Sequence, residues 1–117
     1  MKYADARSFL PLSPLAFQVL LSLSDESRHG YAIIQEIAER TEGVVSMRTG
    51  TMYLLLQRMV ADGLIEESAT RPKTDNQDER RRYYIPTSLG RAVAAAEAKR
   101  LESMVMQARR KQVLGRR

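Results

Sequence analysis

The chain has 117 residues, 44% hydrophobic and 28% charged, with no cysteine, no tryptophan and a formal net charge of +5. A chain this short forms one small domain that buries roughly 60–70% of its unfolded surface, so its core is modest and a partner chain would add to it. The lack of cysteine excludes a disulfide framework and the usual structural zinc sites; no metal or cofactor motif is present, and the composition fits a reducing, cytoplasmic compartment.

The charge is unevenly placed: residues 1–86 carry 11 Lys/Arg against 12 Asp/Glu, and residues 87–117 carry 8 against 2. The excess sits at the C-terminal end, which permits a polyanionic partner without demanding one. The run LPLSPLAFQVLLSLS (10–24) lacks the small-residue cleavage site of a secretory leader. No apolar stretch approaches the ~20 residues that span a bilayer, so no membrane partner is expected.

Residues 1–12 have no clear period and read as an arm. Ser13 and Pro14 supply an N-cap and a first-turn proline, and Leu12, Leu15, Ala16, Val19, Leu20 and Leu23 follow on one face of a first helix. Phe17 and Leu21, four residues apart, lie on another face that an isolated domain would leave wet, and are candidates for contact with a second copy. The segment DESRHG breaks the pattern. Ser27 or Asp25 can cap a second helix with Tyr31, Ile34, Ile37 and Ala38 inward, and Gly43 ends it.

Val44 and Val45 form an extended link to a third helix, in which Met52, Leu55, Leu56, Met59 and Val60 recur at i, i+3, i+4, i+7 and i+8, with Gly63 as its stop. LIEESA (64–69) and RRRYYIP (80–86) read as short strands of a hairpin joined by the turn-rich TRPKTDNQDE. Thr87 can cap a long last helix. Its apolar residues Leu89, Val93, Ala96, Leu101, Met104, Val105 and Ala108 form a seam too long for one small core.

Three short helices, a hairpin and a long helix define a mainly α (α+β) fold: a winged helix-turn-helix with a two-stranded β wing and a long C-terminal dimerisation helix. The expected division is an arm (1–12), a DNA-binding domain (13–86) and a dimerisation helix with a basic tail (87–117). The third helix would enter a major groove, with Gly50, Tyr53, Leu54, Gln57, Arg58 and Ala61 facing outward or flanking that face. Thr49, Gly50 and Thr51 are small enough for the backbone to approach DNA, where its free N–H groups can bind a phosphate. Arg48 fits the same site: a cation beside a helix N-terminus costs about 0.3–1 kcal/mol, which calls for an external anion or a local carboxylate. Gln57 can pair with adenine, Leu54 can meet a thymine methyl, and Tyr53 and Arg58 can reach phosphates. The plainer alternative makes Gln57 and Arg58 ordinary solvent residues and packs Tyr53 on the hairpin.

Arg80, Arg81 and Arg82 can hold flanking phosphates or the minor groove, with Glu66 and Glu67 as competing cross-strand partners. The acidic tip around Asp75, Asp78 and Glu79 would be repelled by phosphate, so any wing contact should come from the strand bases. The basic end, residues 109–117, reads as a frayed, solvated tail.

Together, HGYAIIQEI, GTMYLLLQRMVADGLI and RRYYIPTSLGRAVAAAE, in that order and spacing, resemble the PadR family of transcriptional regulators over residues 12–110. The single helix after the wing resembles its short subfamily. The resemblance implies a homodimer, usually a repressor, that binds double-stranded DNA and pairs its C-terminal helix with the partner chain. By position it puts Thr51 and Tyr53 in the recognition-helix pattern, Arg81 and Arg82 on the wing strand, and Tyr31 near the DNA backbone. Many relatives have a Ser-Pro pair where this chain has Arg48 and Thr49, so its helix cap and base preference depart from theirs. Some members bind phenolic acids or flat hydrophobic drugs at the dimer centre, often against a tryptophan. Here Phe9, Phe17, Met104, Val105 and Met106 are the candidates to line a pocket for a small hydrophobic ligand, plain packing being the alternative for the methionines.

An enzyme is not expected, because no nucleophile is assembled with a base and phosphate-loop and dinucleotide fingerprints are absent. His29, the only histidine, reads as a capping or packing residue, with pH or ligand sensing as the alternative. The rival function is a winged-helix protein-interaction module without sequence-specific DNA binding, since residues 1–86 are near neutral. RNA binding is disfavoured because Tyr83 and Tyr84 alternate faces and make no stacking pair.

Overall fold

The computed structural model describes residues 5–69 and 81–115. Within the N-terminal arm, Asp5 caps a 3-10 helix, Ala6–Phe9, which packs on the last helix. Helix α1, Pro14–Ser22, starts as expected, with the Ser13 hydroxyl accepting the Ala16 N–H at 3.1 Å. Its face buries Ala16, Val19 and Leu20, flanked by Leu12 and Leu23, while Leu15 is half-buried.

The next segment departs from the sequence reading. Arg28–His29 form a two-residue strand, β1, and helix α2 runs Gly30–Arg40. Its cap is neither Ser27 nor Asp25: the His29 imidazole accepts the Ala32 N–H through Nδ1 at 3.2 Å. The inward stripe is Gly30, Ile33 and Ile37, leaving Ile34 and Ala38 half-buried and Tyr31 turned outward at 54% exposure. The helix ends over two left-handed residues, Glu42 at φ 54° and Gly43 at φ 81°. Gly43 N–H then reaches back to the Ala38 carbonyl at 2.8 Å. Arg40 clamps this end to α1, donating to both Glu36 carboxylate oxygens at 2.9 Å and to Gln18 Oε1 at 2.7 Å.

Helix α3, Thr49–Ala61, buries Met52, Leu56 and Met59. Leu55 is only partly covered and Val60 faces solvent, a narrower stripe than the five residues expected. The stop is Gly63 at φ 80°: its N–H bonds the Val60 carbonyl, and the Leu64 N–H bonds the Met59 carbonyl at 2.9 Å.

Strands β2, Ile65–Ser68, and β3, Tyr83–Pro86, pair antiparallel with Glu67 opposite Tyr84, and β1 pairs on the other edge of β3 with His29 opposite Tyr83. The wing hairpin is two-stranded, but the sheet has three strands in the order β1-β3-β2. Its central strand is covered on both faces, so Tyr83 and Tyr84 are both buried although they alternate.

Helix α4, Ser88–Arg110, begins at Thr87, whose hydroxyl accepts the Gly90 N–H at 3.0 Å and donates to the Gly63 carbonyl at 2.6 Å. A Cβ on Gly90 would collide with the Leu64 backbone carbonyl, so only glycine lets the helix lie this close to β2. Gly90, Val93 and Glu97 are the buried residues of α4, and none follows among residues 98–110. No helix of the described residues is long and apolar enough to cross a membrane.

Candidate nucleic-acid interface

Helices α1, α2 and α4 each start on a capping side chain, whereas α3 does not: Arg48 holds the cap position and makes no side-chain cap bond. The N–H groups of the first turn of α3 therefore lack a side-chain cap, and Thr49, Gly50 and Thr51 are all exposed. A Cβ on Gly50 would meet nothing within 4 Å, so no packing among the described residues requires glycine there. Among the described residues no carboxylate pairs with Arg48, and the local partner that would offset its place at the positive helix end is missing.

Along the outward face of α3, Gly50, Leu54, Gln57 and Ala61 fall three or four residues apart and are all exposed, Leu54 at 69%. Tyr53 and Arg58 flank this line. The Arg58 guanidinium is drawn toward the C-terminal end by Asp62 at 3.7 Å. Tyr53 rests on Gly30, at the first turn of α2. Tyr31, one residue further on, is exposed on the same helix turn.

At the wing, Arg82 meets Glu67 at 3.3 Å; both side chains are well exposed, and such a pair is worth only about 0–1 kcal/mol. Glu66 makes no such contact among the described residues. Arg81 lies with Nη1 3.2 Å from His29 Nε2, a pairing missed in the sequence. Because Nδ1 accepts the Ala32 N–H, a neutral ring carries its proton on Nε2, which makes this a close contact of two donors and not a hydrogen bond. The His29 ring also meets Tyr83 edge-on, with centroids 5.2 Å apart, so the helix-turn-helix and the base of the wing share one side chain. Arg80 and the acidic tip lie outside the described residues.

The expected partner-chain seam divides in two. Val93 is wholly within the core of its own chain and Leu89 and Ala96 are partly covered, which removes Val93 from any interface. Leu101, Met104 and Val105 are exposed beyond the core, as is Leu21 on α1; Phe17 and Ala108 are half-buried. The expected ligand pocket lies at a dimer centre, so its walls would come from two chains. Within one chain Phe9 lines a cleft with Leu12, Ala16 and Leu55, while Met104, Val105 and Met106 are exposed and point in successive directions about 100° apart around α4.

One buried charge was not expected. Glu97 is 2% exposed, accepts from Arg100 Nε and Nη2 at 2.8 Å each, and accepts the Leu12 N–H at 3.4 Å. The guanidinium holds its carboxyl below the usual range, against the opposing effect of burial. The spacing of three between Glu97 and Arg100 was the available signal, but a charged pair on a helix ordinarily reads as a solvated face.

The PadR-like transcriptional regulator family matches residues 19–96, from α1 into α4. The chain belongs to this family. Solved PadR structures share the fold. A PadR family regulator from Clostridium difficile is 28% identical with a TM-score of 0.64, the match covering 86% of this chain and 98% of that one. A PadR-like regulator from Bacillus cereus is 26% identical with a TM-score of 0.66, covering 86% and 92%. Bacillus subtilis PadR, solved in complex with operator DNA, is alike in fold, at 21% identity and a TM-score of 0.59 over 74% of this chain and 46% of that one. A Lysinibacillus sphaericus protein called Uncharacterized protein X is 32% identical over 74 residues, 63% of this chain and 65% of its own length. The PadR-like family is one of transcriptional regulators, not of enzymes.

Proposed function

We propose that the protein is a cytoplasmic, sequence-specific DNA-binding repressor that acts as a homodimer on a palindromic operator. Residues 13–86 are the DNA-binding unit, residues 87–117 the dimerisation helix and tail, and residues 1–12 an arm. The observation that carries the reading is the start of α3: an exposed, side-chain-uncapped helix end of small residues beside Arg48, in a family of transcriptional regulators. A DNA phosphate would supply the anion that this end lacks among the described residues.

In this reading Arg48 and the N–H groups of Thr49, Gly50 and Thr51 grip a phosphate, while Tyr31, Tyr53 and Arg58 reach the backbone on either side. Arg81 and Arg82, with Arg80, hold the flanking strand, and Arg82 exchanges its weak pair with Glu67 for phosphate. Leu54 and Gln57 face the base edges. The partner chain covers Leu101, Met104, Val105 and Ala108 together with Phe17 and Leu21. A small hydrophobic effector would bind where two chains meet, against Phe17 and the Met104–Met106 stretch, and relieve repression. The two α3 helices would enter successive major grooves, with half-sites about 34–36 Å apart.

The test is selection from a pool of random duplex DNA at two salt concentrations. Recovery of a palindrome, with retention falling steeply as salt rises, is the expected result. No retention at either salt would favour a protein-contact module, whose affinity should depend little on salt.

A further inference from the structure

The base-reading line of α3 has a composition that selects among bases. Gly50, Leu54, Gln57 and Ala61 share one exposed face. Of these, only Gln57 carries polar side-chain atoms, and Leu54 is the one large apolar group, 69% exposed with no partner in the core. Reading guanine bidentately takes an arginine or lysine at the base edge. Arg58 is the sole basic residue of α3; it sits off this line and leans toward Asp62. Arg48 is at the cap, more than one full turn before Leu54, where the phosphate site lies.

Gln57 has the matched donor and acceptor for adenine: its amide NH2 donates to N7 and its carbonyl accepts from N6–H. Leu54 offers only apolar surface, and the only apolar group on a base edge in the major groove is the thymine methyl. The two residues are three apart, so they differ by about 4.5 Å along the helix. That is close to one base step of about 3.4 Å. Gly50, with open space where a Cβ would stand, lets this end of the line approach the groove floor.

Resting on the regulator reading above, we infer that Leu54 and Gln57 are the specificity-determining residues and that together they read an adenine and a thymine methyl at neighbouring base pairs in each half-site. The exposed leucine is thus a recognition element and not a packing defect.

The probe is the palindrome returned by the selection, remade with deoxyuridine at each thymine in turn and with 7-deazaadenine at each adenine in turn. It is titrated with the full chain, with Leu54→Ala and with Gln57→Ala. At one thymine per half-site, loss of the methyl should weaken wild-type binding about fourfold. At a neighbouring adenine, loss of N7 should weaken it about fivefold or more. Leu54→Ala should become indifferent to the uracil and Gln57→Ala to the 7-deazaadenine, each keeping its sensitivity to the other base. Both side chains are exposed, so both variants should fold, and the wild-type titrations need no variant.

A selected palindrome at which the wild type is indifferent to either modified base overturns the inference and leaves the regulator reading standing. So do variants as sensitive as the wild type to both bases. Failure to select any site overturns both readings.

Discussion

The ring of Tyr53 lies against Gly30, so close that a Cβ added there would stand 2.9 Å from its Cε1, Cζ and Oη atoms. The first turn of α2 therefore positions a side chain on the exposed face of α3. Alanine at position 30 would push the ring aside while gaining up to about 1 kcal/mol in helix propensity. Gly30→Ala should unfold within about 1 kcal/mol of the wild type yet bind DNA more weakly. Calorimetry beside a binding titration checks this, and unchanged affinity would remove Tyr53 from the interface.

Gly90 makes the opposite case. The atom in the way is the Leu64 backbone carbonyl, which cannot swing aside, and Thr87 and Gly63 are hydrogen-bonded in the same junction. Gly90→Ala should cost about 1–3 kcal/mol or more through overpacking, read as a lower denaturation midpoint at unchanged slope.

Glu97 predicts an acid dependence. Its folded-state pKa lies below its unfolded one, so the stability it contributes is complete above the ordinary glutamate value of about 4.3 and is lost as pH falls through the folded value. Glu97→Gln should be less stable than the wild type near neutrality, and the two melting temperatures should draw together as pH falls below the ordinary glutamate value toward the lowered folded one. A gap that stayed constant with pH would show that the carboxylate charge is not the source. Glu36, lowered chiefly by Arg40, retains its own acid dependence in both proteins.

The distal half of α4 carries exposed Leu101, Met104 and Val105 past the last buried residue of the helix. Truncation before Ala98 should give a monomer by light scattering where the full chain gives a dimer. A truncated chain that remained a stable dimer would place the interface elsewhere.

The elements readable from sequence were those whose signals are local. Ser13-Pro14, Thr87 and Gly63 mark helix ends by side-chain and backbone chemistry that needs no tertiary partner. The outward face of α3 was legible because it is the complement of Met52, Leu56 and Met59. What failed depended on distant residues. His29 caps α2 as its sequence reading expects, but the phase of α2 also follows from the close packing of Gly30 beneath Tyr53, which no local pattern announces. Strand β1 is two residues long and exists only because β3 has a free edge for it. The core role of Val93 and the burial of Glu97 depend on which part of α4 meets the rest of the chain, and a heptad-like seam is silent about where the core ends.

The most direct test of the central claim is the salt dependence of affinity for the selected operator, measured for the wild type and for Arg48→Ala and Tyr53→Ala. The account predicts weaker binding by both variants, with unchanged folds, and for Arg48→Ala a log–log salt slope shallower by about 0.9 for each phosphate that the variant no longer neutralises. Wild-type affinity and slope in both variants would contradict it, because the exposed start of α3 would then not be where this protein meets DNA.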